Sequence, residues 1–188
     1  MTDSKPMRTH RFTREAGALL VIDVQERLAA AMNPERFARL LNRTLAAIAG
    51  AKALGLPIVY TEQYPKGLGP TVAPVKAALG ELPAVEKLEF SALLPEVRAK
   101  LTARPNVLVT GMETHVCVFQ TVRELAAQGF TPYLASDAVL SRDGVDHAAG
   151  VELCRQSGAM ITTVETALFD ALGKAGGPEF KAVSAAVK

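Results

Sequence analysis

Five short apolar runs rich in branched side chains recur along the chain: ALLVIDV (18–24), PIVYTEQ (57–63), NVLVTGM (106–112), TPYLASDA (131–138) and MITTVE (160–165). Most are nearly continuous rather than alternating, the pattern of strands covered on both faces. The segments between them carry helical spacing. This alternation predicts an α/β fold of three layers, α/β/α, around a mostly parallel, Rossmann-like central sheet.

Capping residues punctuate the helical segments. Asn33, Pro34 and Glu35 read as an N-cap, a first-turn proline and a favourable first-turn carboxylate, and Gly55 before Pro57 marks the stop. Leu40, Leu41, Leu45, Ile48 and Ala49 then share one face. Ser91 is expected to cap a helix over 92–102, Gly129 to close the helix that starts near Thr114, and Gly158 to close one over 145–157. Residues 1–15 read as a loose N-terminal arm and 16–188 as a single domain, with a Gly/Ala-rich tail after Phe169.

Composition narrows the partner. With 188 residues, 49% of them apolar, the chain suffices for one well-buried core. A formal charge of +2 with interspersed signs argues against nucleic acid or a membrane surface and leaves a small molecule. The N-terminal stretch is basic but has no apolar h-region, and no run is long enough to span a bilayer. A cytoplasmic protein is expected, with Cys117 and Cys154 both free thiols.

In open parallel sheets, ligands bind outside the carboxyl ends of the strands, where strand order reverses. Asp23 closes the first apolar run and Cys117 follows the third. A carboxylate among apolar neighbours is costly unless paired. Asp23 is therefore either a capping residue or a functional one. Cys117 opens an amphipathic helix, where unpaired N–H groups and the macrodipole favour a thiolate and lower its pKa. Taken alone, a cysteine beside Val116, Val118 and Phe119 reads first as a small core residue.

Taken together, VIDVQ (21–25), TEQYPKGLG (61–69), VEKLEFSA (85–92) and GMETHVCV (111–118) resemble the isochorismatase-like cysteine hydrolases, and in particular the isochorismatase domain-containing branch. The resemblance runs from about residue 16 to 172. It implies an Asp-Lys-Cys triad carried by Asp23, Lys87 and Cys117. In that chemistry the cysteine attacks an electrophilic carbon, the aspartate takes its proton and later activates water, and the lysine holds positive charge beside both. The resemblance also implies a cis peptide joining Met112 and Glu113, which aims the backbone N–H groups of Glu113 and Cys117 as an oxyanion hole. Gln25 and Thr114 would steady the two turns, and the family suggests a homo-oligomer, a dimer or tetramer.

Departures from relatives bound the implied reaction. Nicotinamidases of the superfamily hold a metal through Asp-x-His and a following His after the second strand; here that place reads Glu62-Gln63-Tyr64-Pro65-Lys66. No metal and no cofactor are expected. Isochorismatases proper lack the nucleophilic cysteine that stands here as Cys117. Tyr64, Leu68, Phe90 and His115 are candidate substrate-pocket walls. His10 sits in the arm, His147 reads as structural or interfacial, and Cys154 as core. The expected function is metal-independent hydrolysis of a small amide-like C–N bond through a covalent acyl-enzyme. The alternative is a binding or interaction module that retains the triad without turnover; a redox-sensing thiol lacks a nearby resolving cysteine.

Overall fold

The computed structural model describes residues 11–188. Six strands, β1 (Gly17–Ile22), β2 (Ile58–Gln63), β3 (Val85–Lys87), β4 (Asn106–Met112), β5 (Thr131–Leu140) and β6 (Met160–Thr162), form one sheet in the order β3-β2-β1-β4-β5-β6. Every neighbouring pair is parallel. The expected three-layer α/β architecture is present, with the sheet wholly parallel.

Side-chain alternation along the strands builds two cores. Leu19 and Val21 of β1 and Leu108 and Met112 of β4 pack under α2 (Pro34–Leu54), α4 (Ala73–Leu79), α8 (Val164–Leu172) and α9 (Gly177–Ala186). Ala18, Leu20, Ile22, Val107 and Val109 face the opposite layer, α5 (Pro95–Leu101), α6 (Phe119–Ala127) and α7 (Gly144–Gln156). Both faces of the sheet are thus covered, which explains the continuous apolar strand runs.

The punctuation of α2 works as its sequence says. Asn33 Oδ1 accepts from Arg36 N at 3.1 Å, and Gly55 closes the helix in the left-handed region at φ 67°. Its buried stripe runs through Leu40, Thr44, Ala47, Ile48 and Ala51, leaving Ala49 exposed.

Several local expectations are corrected. Ser91 caps no helix: α5 begins at Pro95, and the Ser91 hydroxyl donates instead to Glu124 at 2.6 Å. The segment after Thr114 opens as a π-helical turn, Thr114–Val118, before α6. The last run yields only the short β6, because Thr163 caps α8, accepting from Thr166 N. The tail after Phe169 continues α8 and then forms α9, which packs on α2 through the buried Val183. Strand β3, three residues at the sheet edge, and the short helices α1 (Glu26–Ala30) and α3 (Pro65–Leu68) were without a clear sequence pattern.

Residues 1–10 of the expected arm, His10 among them, lie outside the described residues. Within 11–15 the arm reading fails at Phe12, which is fully buried, stacks edge-on against Tyr133 at 5.2 Å and donates its N–H to Asp170 at 2.6 Å. An aromatic ring this close to the sheet gains too much from burial to stay outside. Among the described residues no helix is long and apolar enough to cross a membrane.

Candidate active site

Strand order reverses between β1 and β4, and the chain turns sharply just beyond both. Asp23 and Tyr64 are the non-glycine residues with left-handed backbone among those described, at φ 51° and 38°, and each follows the end of a strand. Short polar side chains such as Asp tolerate this region at modest cost. At the facing position, Gly111 has φ 120°, and a Cβ there would run into the Ile22 carbonyl. The two strands therefore approach closely only because residue 111 is glycine. The next peptide, Met112–Glu113, is cis, and the π-helical turn that follows carries Cys117.

Asp23, Lys87 and Cys117 come together at this edge. Asp23 and Lys87 are fully buried in their side chains, and Lys87 Nζ lies 2.7 Å from Asp23 Oδ2. Thr61 donates its hydroxyl to Asp23 Oδ1 at 2.7 Å. Oδ2 faces Lys87 Nζ at that 2.7 Å separation and, as a carboxylate oxygen, keeps a second lone pair for an incoming proton. Cys117, 6% exposed, is close enough to both Asp23 and Lys87 for their charges to act on its thiol.

Four oxygens surround the buried ammonium. Besides Asp23, Lys87 Nζ donates to Gln63 Oε1 at 2.6 Å, Phe90 O at 3.0 Å and Glu89 O at 3.2 Å. A buried cation needs such partners, since removing either member of a buried pair costs about 3–5 kcal/mol. Gln63 also donates from Nε2 to Leu88 O at 2.8 Å, fixing the loop after β3.

Electrostatics here reverse the local expectation for the thiol. Burial pushes Cys117 up to about 12, the neighbouring Asp23 carboxylate adds to the rise, and Lys87 opposes it. A first-turn dipole does not offset desolvation at 6% exposure beside an anion. The resting group is a thiol. Burial likewise raises the Asp23 carboxyl, with the Lys87 charge and hydrogen bonds from Lys87, Thr61 and Cys117 pulling it back.

The π-helical turn that carries Cys117 is buttressed from two sides. The buried Glu113 carboxylate accepts from Arg142 N at 3.2 Å and Arg142 Nε at 3.0 Å. Thr114, fully buried, shares a 3.0 Å hydrogen bond with His147 Nδ1. Burial and Arg36 hold His147 below the ordinary imidazole range, so the ring is neutral at pH 7.

The four suggested pocket residues divide. Tyr64, 51% exposed, lines a hollow of about 510 Å³ with Pro65, Lys66, Lys87, Leu88 and Glu89. Leu68 and Phe90 are not among its walls; Phe90 meets the site through its carbonyl, on Lys87. His115 turns the other way, its Nδ1 2.9 Å from Ser141 Oγ and its Nε2 3.7 Å from Asp146. A larger hollow of about 700 Å³, between α2 and the C-terminal residues, is lined by none of Asp23, Lys87 and Cys117. Among the described residues no three His, Cys, Asp or Glu side chains are grouped to hold a metal ion. Cys154 is buried in the second core.

Sequence reasoning passed over Thr61 and Gln63 as site residues. Both are polar positions ending an apolar strand at the carboxyl edge of the sheet, which is the available sign of them.

Comparisons with known proteins agree with this architecture. Residues 17–166 match the isochorismatase domain family model. The chain is 38% identical to the secreted isochorismatase effector Isc1 of Phytophthora sojae, over 98% of this chain and 90% of that protein. It is 34% identical to isochorismatase domain-containing protein 2 of Xenopus laevis, over 94% and 85% respectively. Among solved structures, the MAR1 ribonuclease from Caenorhabditis elegans superposes with a TM-score of 0.90 at 34% identity, covering 95% of this chain and 92% of that one. The chain belongs to the isochorismatase family.

Proposed function

We propose that this chain is a metal-independent cysteine hydrolase that cleaves a small amide-like C–N bond through a covalent acyl-enzyme. The observation that carries the proposal is the fully buried Lys87–Asp23 pair at 2.7 Å, whose charges act on a buried cysteine on a turn at the strand-order reversal. A lone buried pair is weak evidence for stability alone, so its place beside a nucleophile calls for a chemical role.

In the first step Cys117 Sγ attacks the carbonyl carbon while its proton passes to the open lone pair of Asp23 Oδ2. This removes the cost of forming a free thiolate in a site that resists one. The tetrahedral oxyanion is assigned to the backbone N–H groups of Glu113 and Cys117. Collapse breaks the C–N bond, and the leaving amine takes the proton from Asp23. Asp23 then deprotonates a water that attacks the thioester, and the departing sulfur recovers a proton. Lys87 keeps its charge throughout, offsetting the negative charge that moves between sulfur and carboxylate. Gln25, Gln63, Thr61 and Thr114 hold the turns in register.

The hollow beside Tyr64 and Leu88 supports a compact substrate with an apolar portion. Two free cysteines support a reducing, cytoplasmic setting, and a homo-oligomer, dimer or tetramer, is carried over from the family resemblance alone. Residues 16–188 are taken as the single catalytic domain.

A panel of small primary amides, followed by ammonia release and by mass spectrometry of the protein, tests the proposal. Turnover with an acyl adduct on Cys117, both abolished by Cys117→Ala, is the expected result; amide turnover that survives Cys117→Ala would sink it. The second reading, a binding module that keeps the triad, is favoured by the 6% exposure of Cys117. Its mark is ligand binding without any adduct or turnover.

A further inference from the structure

On the α2 side of the sheet lies a cavity of about 230 Å³, lined by Arg36, Arg39, Leu40, Ser136, Asp137 and His147 among others. Its charges are unbalanced. Arg11, Arg14, Arg43, Arg142 and Arg155 each sit within 4 Å of a carboxylate. Arg36 and Arg39 have no such partner among the described residues. The one acid in the wall is already engaged: Asp137 Oδ2 lies 3.6 Å from Arg43 Nε, and Oδ1 accepts from Val164 N at 2.9 Å.

His147 adds a neutral donor. Its Nδ1 is taken up by the Thr114 hydroxyl at 3.0 Å. With Thr114 donating, the ring carries its proton on Nε2, a nitrogen without a partner among the described residues. Ser136 spends its hydroxyl on Thr162 O at 3.0 Å. With that tautomer, the groups in the wall without a protein partner are two guanidiniums, Arg36 half-buried and Arg39 exposed, and one imidazole N–H.

We propose that this cavity is a binding site for a small tetrahedral oxyanion of the phosphate type, held by Arg36, Arg39 and His147. Guanidinium groups present planar forks matched to phosphate oxygens, and charge-assisted bonds of this kind are about twice as strong as neutral ones. A phosphate-sized ion fits the volume with room for water. The site is separate from the triad and does not depend on it, since none of its residues touches substrate in the mechanism above. It abuts the nucleophile turn through Thr114.

The probe is inorganic phosphate, titrated into the full chain while the imidazole resonances of His147 are followed by NMR. Sodium chloride at matched ionic strength and sodium acetate serve as comparison arms. The expected result is a saturable shift with phosphate that acetate reproduces only weakly and chloride not at all. A bound dianion also favours the charged ring, so the His147 titration moves to higher pH when phosphate is present. Arg36→Gln and Arg39→Gln, which keep good helix formers on an outward face, should each weaken binding by about tenfold. The proposal is overturned by a shift that chloride reproduces, by no saturation, or by Gln variants that titrate as the parent does.

Discussion

Gln25 and Gln63 clasp each other across the carboxyl ends of β1 and β2. Gln25 Oε1 accepts from Gln63 N at 2.7 Å, while Gln25 Nε2 donates to Gln63 O at 3.0 Å and to Gly69 O at 2.7 Å. One side chain thus satisfies three backbone groups, and Gln63 passes the constraint on to Lys87 through Oε1. The Asp23 turn and the Lys87 loop are coupled through two amides.

Gln25→Leu keeps the volume and removes all three bonds. Each buried polar group left without a partner costs about 1–3 kcal/mol, and partial relaxation brings the expected loss to roughly 2–4 kcal/mol. Urea unfolding measures it. A loss under about 0.5 kcal/mol would show that the clasp does not hold the two turns.

The thiol at rest gives a second expectation. With Cys117 pushed up to about 12, iodoacetamide labelling near neutral pH is slow and climbs about tenfold per pH unit through the mildly alkaline range. Asp23→Asn removes the anion that helps raise the thiol, so labelling at pH 8 speeds up. Hydrolysis, which in the proposed reaction uses the carboxylate as base, should fall by about a hundredfold or more. Labelling and turnover therefore move in opposite directions. A parent protein that labels like a thiol of ordinary pKa would refute the buried-thiol account.

These contrasts show what the linear sequence carries. The α/β alternation, the caps of α2 and the positions of Asp23 and Cys117 at strand ends are local patterns, and local patterns are legible. Lys87 is different. Its segment, VEKLEF, reads as ordinary surface chain, and its burial arises from acceptors at Asp23, Gln63 and Phe90 that only the folded sheet assembles. Only the family resemblance singled it out. The thiol followed the same logic in reverse: the helix-start argument is local and favours a thiolate, whereas the Asp23 carboxylate and the burial that override it are long-range. His115 misled for a related reason, since its neighbour Ser141 is 26 positions away.

Lys87→Met replaces the ammonium with an apolar chain of similar length. Asp23 then stays buried without its cation, and at pH 7 the expected loss is about 3–5 kcal/mol. The pH dependence has a definite sign. Losing Lys87 removes an interaction that lowers the Asp23 pKa, so the folded carboxyl, already raised above 3.8, rises further. A raised carboxyl means the folded state binds more protons than the unfolded one, and stability falls as pH rises from 3.8 through the folded value. The deficit relative to the parent should therefore shrink as pH is lowered from 7 to 5, and Asp23→Asn in the same chain should recover part of it at pH 7. A deficit that is flat with pH would mean that Asp23 is not the group left unpaired.

Gly150 tests whether the nucleophile turn is held from behind. This residue of α7 sits flush against the π-helical turn: a Cβ there would stand 2.7 Å from His115 N and 2.8 Å from His115 Cα and the Thr114 carbonyl carbon. All three are backbone atoms, so no side chain can swing aside. Gly150→Ala gains about 0.5–1 kcal/mol of helix propensity but must push α7 away from the turn, and overpacking of this kind costs about 1–3 kcal/mol. Net stability should change little or fall modestly. Activity should suffer more, because the displaced segment begins at Thr114 and carries Cys117. The expected outcome is a drop in kcat of about tenfold or more with KM nearly unchanged, as befits an interaction that matters in the transition state and not in ground-state binding. Ala149→Ser, on the exposed side of the same helix, should leave both constants unaltered. Were Gly150→Ala to retain full kcat while folding normally, the close approach of α7 would be packing alone, with no hold on the geometry of the thiol.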